Sequence, residues 1–241
     1  EHGVDHIDTS QFYGPDVANE LIHEALFPYP EGLVLVSKVG ARRDEQANWL
    51  PAQRPGELRA GVEANLRSLA LDQVPVVNLR RTPGSEVSLD EQVGAMIGLR
   101  DEGLIGGIGL SNVTLDEYMS VRSRCDIACI QNAYNLADRS DQALLDICRS
   151  DGVPYTPFFP LGSAFLPENP VLQAPVVQDT ARRLGATPAQ VALAWLLSES
   201  STVLLIPGTS SPAHLEENLA ARDLVLDEAT RASLSAVGDG S

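Results

Sequence analysis

Lysine is nearly absent from this sequence. Lys38 is the only one, and the other basic residues, out of 17, are all arginine. Positive charge as a whole is scarce. With 33 acidic groups the net charge is −16, which repels phosphate backbones and argues against a nucleic-acid partner. Cysteine is sparse too: Cys125, Cys129 and Cys148 are an odd set without metal-ligand spacing. Cys125 and Cys129 are four apart, but the IACIQ run around Cys129 reads as strand, so they share no helix face. All three are expected as small core residues in a reducing compartment. The four histidines, His2, His6, His23 and His214, do not cluster at strand ends, so metal-dependent hydrolysis is set aside and no metal is expected. No apolar run approaches a membrane span, and no signal-peptide pattern opens the chain. The expectation is a cytoplasmic protein with no membrane partner.

What is present is ordinary for a globular protein: 241 residues, 44% hydrophobic and 21% charged, enough to bury a large core. Near-continuous Val/Ile/Leu runs suggest strands buried on both faces, as in parallel sheets. They lie at 6–9 (HIDT), 33–39 (LVLVSKV), 74–80 (VPVVNLR), 105–111 (IGGIGLS), 127–134 (IACIQNAY), 153–159 (VPYTPFF) and 203–209 (VLLIPGT). Helical stretches alternate with them. One spans 55–70; another starts at Thr187 before Pro188; a third has Ser88 and Glu91 as a capping box and ends at Gly103. Such alternation predicts an α/β fold with a parallel sheet. An eight-stranded barrel needs eight strand–helix units in roughly 250 residues, and seven strands are visible. No GxGxxG follows an early strand, which disfavours an open doubly wound sheet. The opening EHGVDHIDT reads as the tail of a helix entering a strand. The fold expected is therefore a (β/α)8 TIM barrel lacking its first strand–helix unit, as a single domain over residues 1–241.

In such barrels the chemistry sits at the C-terminal ends of the strands. Here those ends carry Asp8, with Tyr13 on the loop after it, then Lys38, Arg80, Ser111-Asn112 and Gln131. Phe158 to Gly162 and Gly208-Thr209-Ser210 follow. Asp, Tyr and Lys together make a proton-donor device. A phenol with an ordinary pKa near 10 is a poor acid at neutral pH, and an ammonium beside it favours its anion. A carboxylate paired with the ammonium holds it in place and charged. Guanidinium is too weak an acid and the wrong shape for that task, which gives a reason for one lysine to persist among arginines.

GVDHIDTSQFYG, SKVG, GIGLSN, QNAYN, FFPLG and IPGTSSPAHLEEN, in that order, resemble the successive motifs of the aldo-keto reductases. The likeness runs from about residue 1 to 220. HIDTSQFYGP, SKVGARR with NWLPA after it, and VVNLR resemble the pyridoxal-reducing bacterial branch of that family.

The resemblance implies an NADPH-dependent enzyme that reduces an aldehyde to an alcohol, with Asp8, Tyr13 and Lys38 as carboxylate, general acid–base and ammonium. The family's usual tetrad has a histidine where VVNLRR places Arg80. Arg80 is therefore expected to orient the carbonyl and stabilise negative charge rather than relay a proton; the alternative is that it pairs with an acidic residue and faces away. Ser111, Asn112 and Gln131 match the positions that hold the nicotinamide carboxamide, and Phe158 the ring that stacks on the nicotinamide. Pro160, Leu161 and Gly162 belong to the same motif. Ile206, Gly208, Thr209 and Ser210 match the phosphate end, and Glu217 and Asn218 the adenine contacts. Gly208 and His214 stand where many members have the cations that read the 2′-phosphate, so NADH stays open beside NADPH. Phe12, Trp49 and Arg42, with Arg43 adjoining, suggest an aromatic wall with a basic rim, suited to a flat polar aldehyde such as pyridoxal. The competing reading is a regulatory subunit that binds NADPH without turnover.

Overall fold

The computed structural model of the protein describes residues 2–162 and 169–240. They form two compact units, Glu1–Gln131 and Asn132–Ser241. No helix among the described residues is long and apolar enough to cross a membrane.

The first unit is built on β1 (His6–Asp8), β2 (Val34–Arg43), β3 (Trp49–Ala52), β4 (Val74–Arg80), β5 (Ile105–Ser111) and β6 (Ile130–Gln131). Strands β1, β2, β4, β5 and β6 pair in that order, all parallel, while β3 pairs antiparallel with β2. Between them run helices α1 (Val17–Leu26), α2 (Pro55–Leu69), α3 (Leu89–Asp101) and α4 (Leu115–Arg122). Local sequence accounts for these helices. Pro55 opens α2, where its missing N–H is not needed. Ser88 Oγ accepts from the Glu91 N–H at 3.2 Å at the start of α3, and Thr114 with Glu117 forms a capping box on α4. Leu58, Val62 and Leu69 of α2 are buried at helical spacing. Asn65 is the polar member of that buried stripe.

Two of the expected strands, 74–80 and 105–111, coincide with β4 and β5. Three expectations are corrected. The 127–134 run is strand only at β6, and 153–159 and 203–209 contribute only isolated parallel bridges, Ala133 to Phe158 and Tyr155 to Val203. Proline is the physical reason in the latter two: Pro154, Pro157 and Pro207 offer no N–H to a ladder. The lysine-bearing strand runs on to Arg43 rather than ending at residue 39, and folds into a hairpin with β3. Asp44 builds the turn, its Oδ1 accepting from the N–H groups of Gln46 (3.0 Å) and Asn48 (2.8 Å).

In the second unit α5 (Gln142–Asp151), α6 (Pro175–Leu184), α7 (Pro188–Glu199), α8 (Pro212–Ala220) and α9 (Glu228–Ser235) surround a core centred on α7. Val191 to Leu196 are all buried there. Trp195 stacks on Tyr134 at 6.0 Å and donates to Ser235 Oγ at 2.9 Å. Asp141 Oδ2 accepts from Tyr155 Oη (2.5 Å) and Asn132 Nδ2 (2.9 Å), and burial pushes its carboxyl above the usual carboxylate range.

Gly40 is where β2 changes partners, from parallel pairing with β4 at Val36–Val39 to antiparallel pairing with β3 at Gly40–Arg43. Its φ is +102°, and a Cβ there would lie 2.4 Å from the Arg80 carbonyl oxygen. Both strain and contact forbid a side chain. Gly40→Ala is expected to lower unfolding free energy by about 2 kcal/mol or more, measured by urea denaturation; an unchanged midpoint would remove this constraint.

Candidate active site

Strand order alone brings Asp8 and Lys38 together. β1 and β2 are parallel neighbours with Asp8 opposite Val36, so Lys38 lies just beyond the strand end where Asp8 sits. Lys38 is 1% exposed, a position that excludes a solvated ammonium. Its Nζ pairs with Asp8 Oδ1 and donates to the Thr9 carbonyl at 3.0 Å. The second carboxylate oxygen, Asp8 Oδ2, accepts from Gln131 Nε2 at 2.8 Å. Both oxygens of a nearly buried carboxylate are thus occupied, as a low-dielectric site requires.

Tyr13 lies on the loop after β1, 37% exposed, with the Lys38 ammonium 5.0 Å from its ring centroid. Phe12 beside it is buried and packs edge-on against Tyr13 (5.5 Å) and against Trp49 of β3 (5.2 Å). The Arg43 guanidinium stacks 3.4 Å from the Trp49 ring centroid, and that of Arg80 lies 5.4 Å from the same ring. Burial lowers the Arg80 guanidinium from its ordinary value; nearby Tyr13 works in the opposite direction, and Arg43 adds to the lowering. Arg80 is held at the backbone, where its carbonyl accepts from Gln53 Nε2 at 2.7 Å. Asp8, Phe12, Tyr13, Lys38, Trp49 and Arg80 therefore form one cluster within the first unit. Arg42 does not join it: in the hairpin it lies opposite Leu50, on the other face from Arg43 and Trp49.

Beneath the pair lies a polar network that sequence reading missed. Thr9 Oγ1 donates to Asn19 Oδ1 (2.8 Å), and Asn19 Nδ2 donates to Asn65 Oδ1 (2.9 Å) and Ser68 Oγ (2.9 Å). Ser37 Oγ donates to Asn65 Oδ1 at 2.5 Å. Asn65 Nδ2 closes the set on the Gly61 carbonyl at 2.8 Å. The network ties α1 and α2 to the residue after Asp8 and the residue before Lys38. Its one sequence signal was an asparagine within the apolar stripe of α2.

Among the remaining expected site residues of the first unit, Ser111 is buried with its Oγ unpartnered, an unsatisfied hydroxyl at a strand end. Asn112, with φ +61°, donates from Nδ2 to the Arg81 carbonyl at 3.0 Å. In the second unit Phe158 is half-buried against Phe159 (5.2 Å, edge-on). Pro160, Leu161 and Gly162 form a turn braced by Asn169, whose Nδ2 donates to the Leu161 carbonyl at 2.8 Å. Ile206 is half-buried, while Gly208, Thr209 and Ser210 lie exposed ahead of α8. Thr209 Oγ1 accepts from the Ser211 N–H (3.1 Å), and Ser211 Oγ from the His214 N–H (3.4 Å). On α8, His214 is exposed and Glu217 and Asn218 are half-buried.

Fold and comparisons together define an α/β-barrel oxidoreductase. A profile of the aldo/keto reductase family matches residues 1–239, and the chain belongs to that family. The chain is 50% identical over 240 residues to pyridoxine 4-dehydrogenase of Escherichia coli K12, covering 98% of this chain and 82% of that protein. It is 30% identical to a methylglyoxal reductase of the same organism, over 97% and 80% of the two chains. Among solved structures, an aldo-keto reductase from Klebsiella pneumoniae in complex with NADPH superposes with a TM-score of 0.80 at 30% identity, over 97% and 79%.

Removing the hub of the buried network leaves the Ser37 hydroxyl and one of the two Asn19 amide N–H groups without an acceptor. Asn65→Leu is expected to destabilise the protein by about 2–4 kcal/mol, since each orphaned polar group costs roughly 1–3 kcal/mol. Thermal and urea unfolding check this; a change under about 0.5 kcal/mol would mean that the network contributes little to holding α1 and α2 on the strands.

Proposed function

We propose that the protein reduces an aldehyde to a primary alcohol with NADPH, and that pyridoxal is the substrate. The observation that carries this reading is the buried Lys38–Asp8 pair with its ammonium facing the Tyr13 ring. Bound NADPH would supply the hydride for the carbonyl carbon. Tyr13 gives its hydroxyl proton to the carbonyl oxygen as negative charge develops there. The ammonium of Lys38 stabilises the phenolate that remains, and Asp8 keeps that ammonium in place. Arg80 donates hydrogen bonds and positive charge toward the substrate oxygen; a guanidinium does not release a proton at neutral pH, so Tyr13 alone handles it. In the oxidation direction Tyr13 takes the proton from the alcohol.

The residues fit a nicotinamide cofactor on one structural ground: the Ser111 hydroxyl is buried without a partner, as an amide-binding group would be before its ligand arrives. Ser111, Asn112 and Gln131 would hold the carboxamide. Phe158 would stack on the ring, and Pro160, Leu161 and Gly162 would line the same stretch. Ile206, Gly208, Thr209, Ser210 and His214 would meet the phosphates, with Glu217 and Asn218 on the adenine. NADPH is favoured by the Klebsiella relative crystallised with it. Pyridoxal is favoured by the E. coli relative named for the reverse oxidation and by the aromatic side chains of Tyr13, Phe12 and Trp49 packed one on the next.

The test is the loss of NADPH absorbance on adding pyridoxal. The parent is expected to turn over. Lys38→Met is expected to slow reduction by about a thousandfold, some 4 kcal/mol of barrier, while NADPH still binds by fluorescence titration. Unchanged turnover in Lys38→Met would overturn the proton-donor assignment. A parent that binds NADPH but oxidises none with any aldehyde would favour the regulatory reading.

A further inference from the structure

The hairpin beyond Lys38 holds a cation, Arg43, that has no carboxylate within ion-pair distance among the described residues. Arg43 and Trp49 are directly opposed across β2 and β3, so their side chains share one face. The Arg43 guanidinium carbon sits over the indole, 3.4 Å from its centroid. It spends one donor on the Ala47 carbonyl at 2.6 Å, closing the turn. Among the described residues its partners are the Ala47 carbonyl and the Trp49 ring, with no ion pair. Arg54, Arg59, Arg81, Arg100, Arg124 and Arg149, for comparison, each sit within ion-pair distance of a carboxylate.

The surroundings explain where such a cation acts. From Trp49 the aromatic wall continues to Phe12 at 5.2 Å and on to Tyr13 at 5.5 Å. The Arg80 guanidinium lies 5.4 Å from the same indole. Lys38 is paired with Asp8, while the Arg43 guanidinium brings a further positive charge to the Trp49 end of this wall. A planar ring lying along this wall with its carbonyl oxygen at Tyr13 would bring a ring substituent within reach of a stacked guanidinium. A neutral substituent gains little there. An oxyanion gains a charge-assisted hydrogen bond from a fork already immobilised by stacking.

We propose that the β2–β3 hairpin is a specificity element selecting planar aromatic aldehydes that carry an anionic substituent, with Arg43 as the residue that reads the charge. The proposal rests on the reductase reading above and narrows its substrate class.

The test compares 4-carboxybenzaldehyde with its uncharged methyl ester, methyl 4-formylbenzoate, in the parent, Arg43→Gln and Arg43→Lys. Two readouts are taken: kcat/KM from NADPH consumption, and binding of each aldehyde from quenching of tryptophan fluorescence. Expected is a loss of about tenfold in both readouts for the carboxylate in Arg43→Gln. Arg43→Lys, which keeps the charge but not the flat fork, is expected to stay within about threefold of the parent. The ester is expected to change less than about twofold in either variant, which also shows that the hairpin still folds. Equal losses for acid and ester, or no loss for either, would overturn the proposal. Charge-selective binding without NADPH consumption in the parent would leave the specificity element standing and sink the reductase reading instead.

Discussion

A lysine that is 1% exposed keeps its charge only if the protein replaces its water, and here Asp8 and the Thr9 carbonyl do so. Much of the first unit is arranged around that requirement. Parallel pairing of β1 with β2 sets the two charged residues at one sheet end. Gln131 on β6 saturates the far oxygen of Asp8, so three strands converge on one carboxylate. The Thr9–Asn19–Asn65–Ser37 network grips the chain on either side of the pair. Gly40 then lets the lysine-bearing strand pass within van der Waals reach of Arg80 and turn into the hairpin that presents Trp49. Each feature constrains the backbone near two side chains, which is the precision proton transfer asks of a scaffold.

How much of this could be read before any coordinates depends on the kind of signal. Strands 74–80 and 105–111 were legible because Val, Leu and Ile recur through them between helical stretches. The strands holding Asp8 and Lys38 were legible in place and order, the second from the apolar run LVLV that leads into Lys38. What escaped was anything decided by tertiary pairing. The β2–β3 hairpin hides behind Arg42, Arg43 and Pro51, none of which reads as strand, and its turn depends on Asp44 catching two N–H groups across the loop. The stretches around Tyr155 and Val203 have strand-like composition, yet prolines limit their pairing to single bridges. Asn65 interrupts the apolar stripe of α2, and only the approach of Ser37 and Asn19 makes it a hub.

Charge shows the same division between local and global. At net −16 the chain as a whole is acidic, yet the face leading away from Tyr13 carries two guanidiniums on one indole. The place where the family usually has a histidine holds Arg80, and that exchange is consistent with a site that stabilises negative charge near the substrate rather than shuttling a proton through a second group. In the proposed mechanism the aldo/keto reductase barrel keeps a proton donor built on Asp8, Tyr13 and Lys38, and the hairpin and Arg80 would tune which carbonyl compound reaches it.

The dependence of this arrangement on the ion pair is tested most directly by a double-mutant cycle in folding stability with Asp8→Asn, Lys38→Met and the combined variant. Each single change leaves its partner buried and uncompensated, so each is expected to cost about 3–5 kcal/mol. The double variant is expected to cost less than the sum of the two by at least about 2 kcal/mol. Costs that simply add would contradict the account, because they would mean that Lys38 and Asp8 are held by the fold independently rather than holding it together.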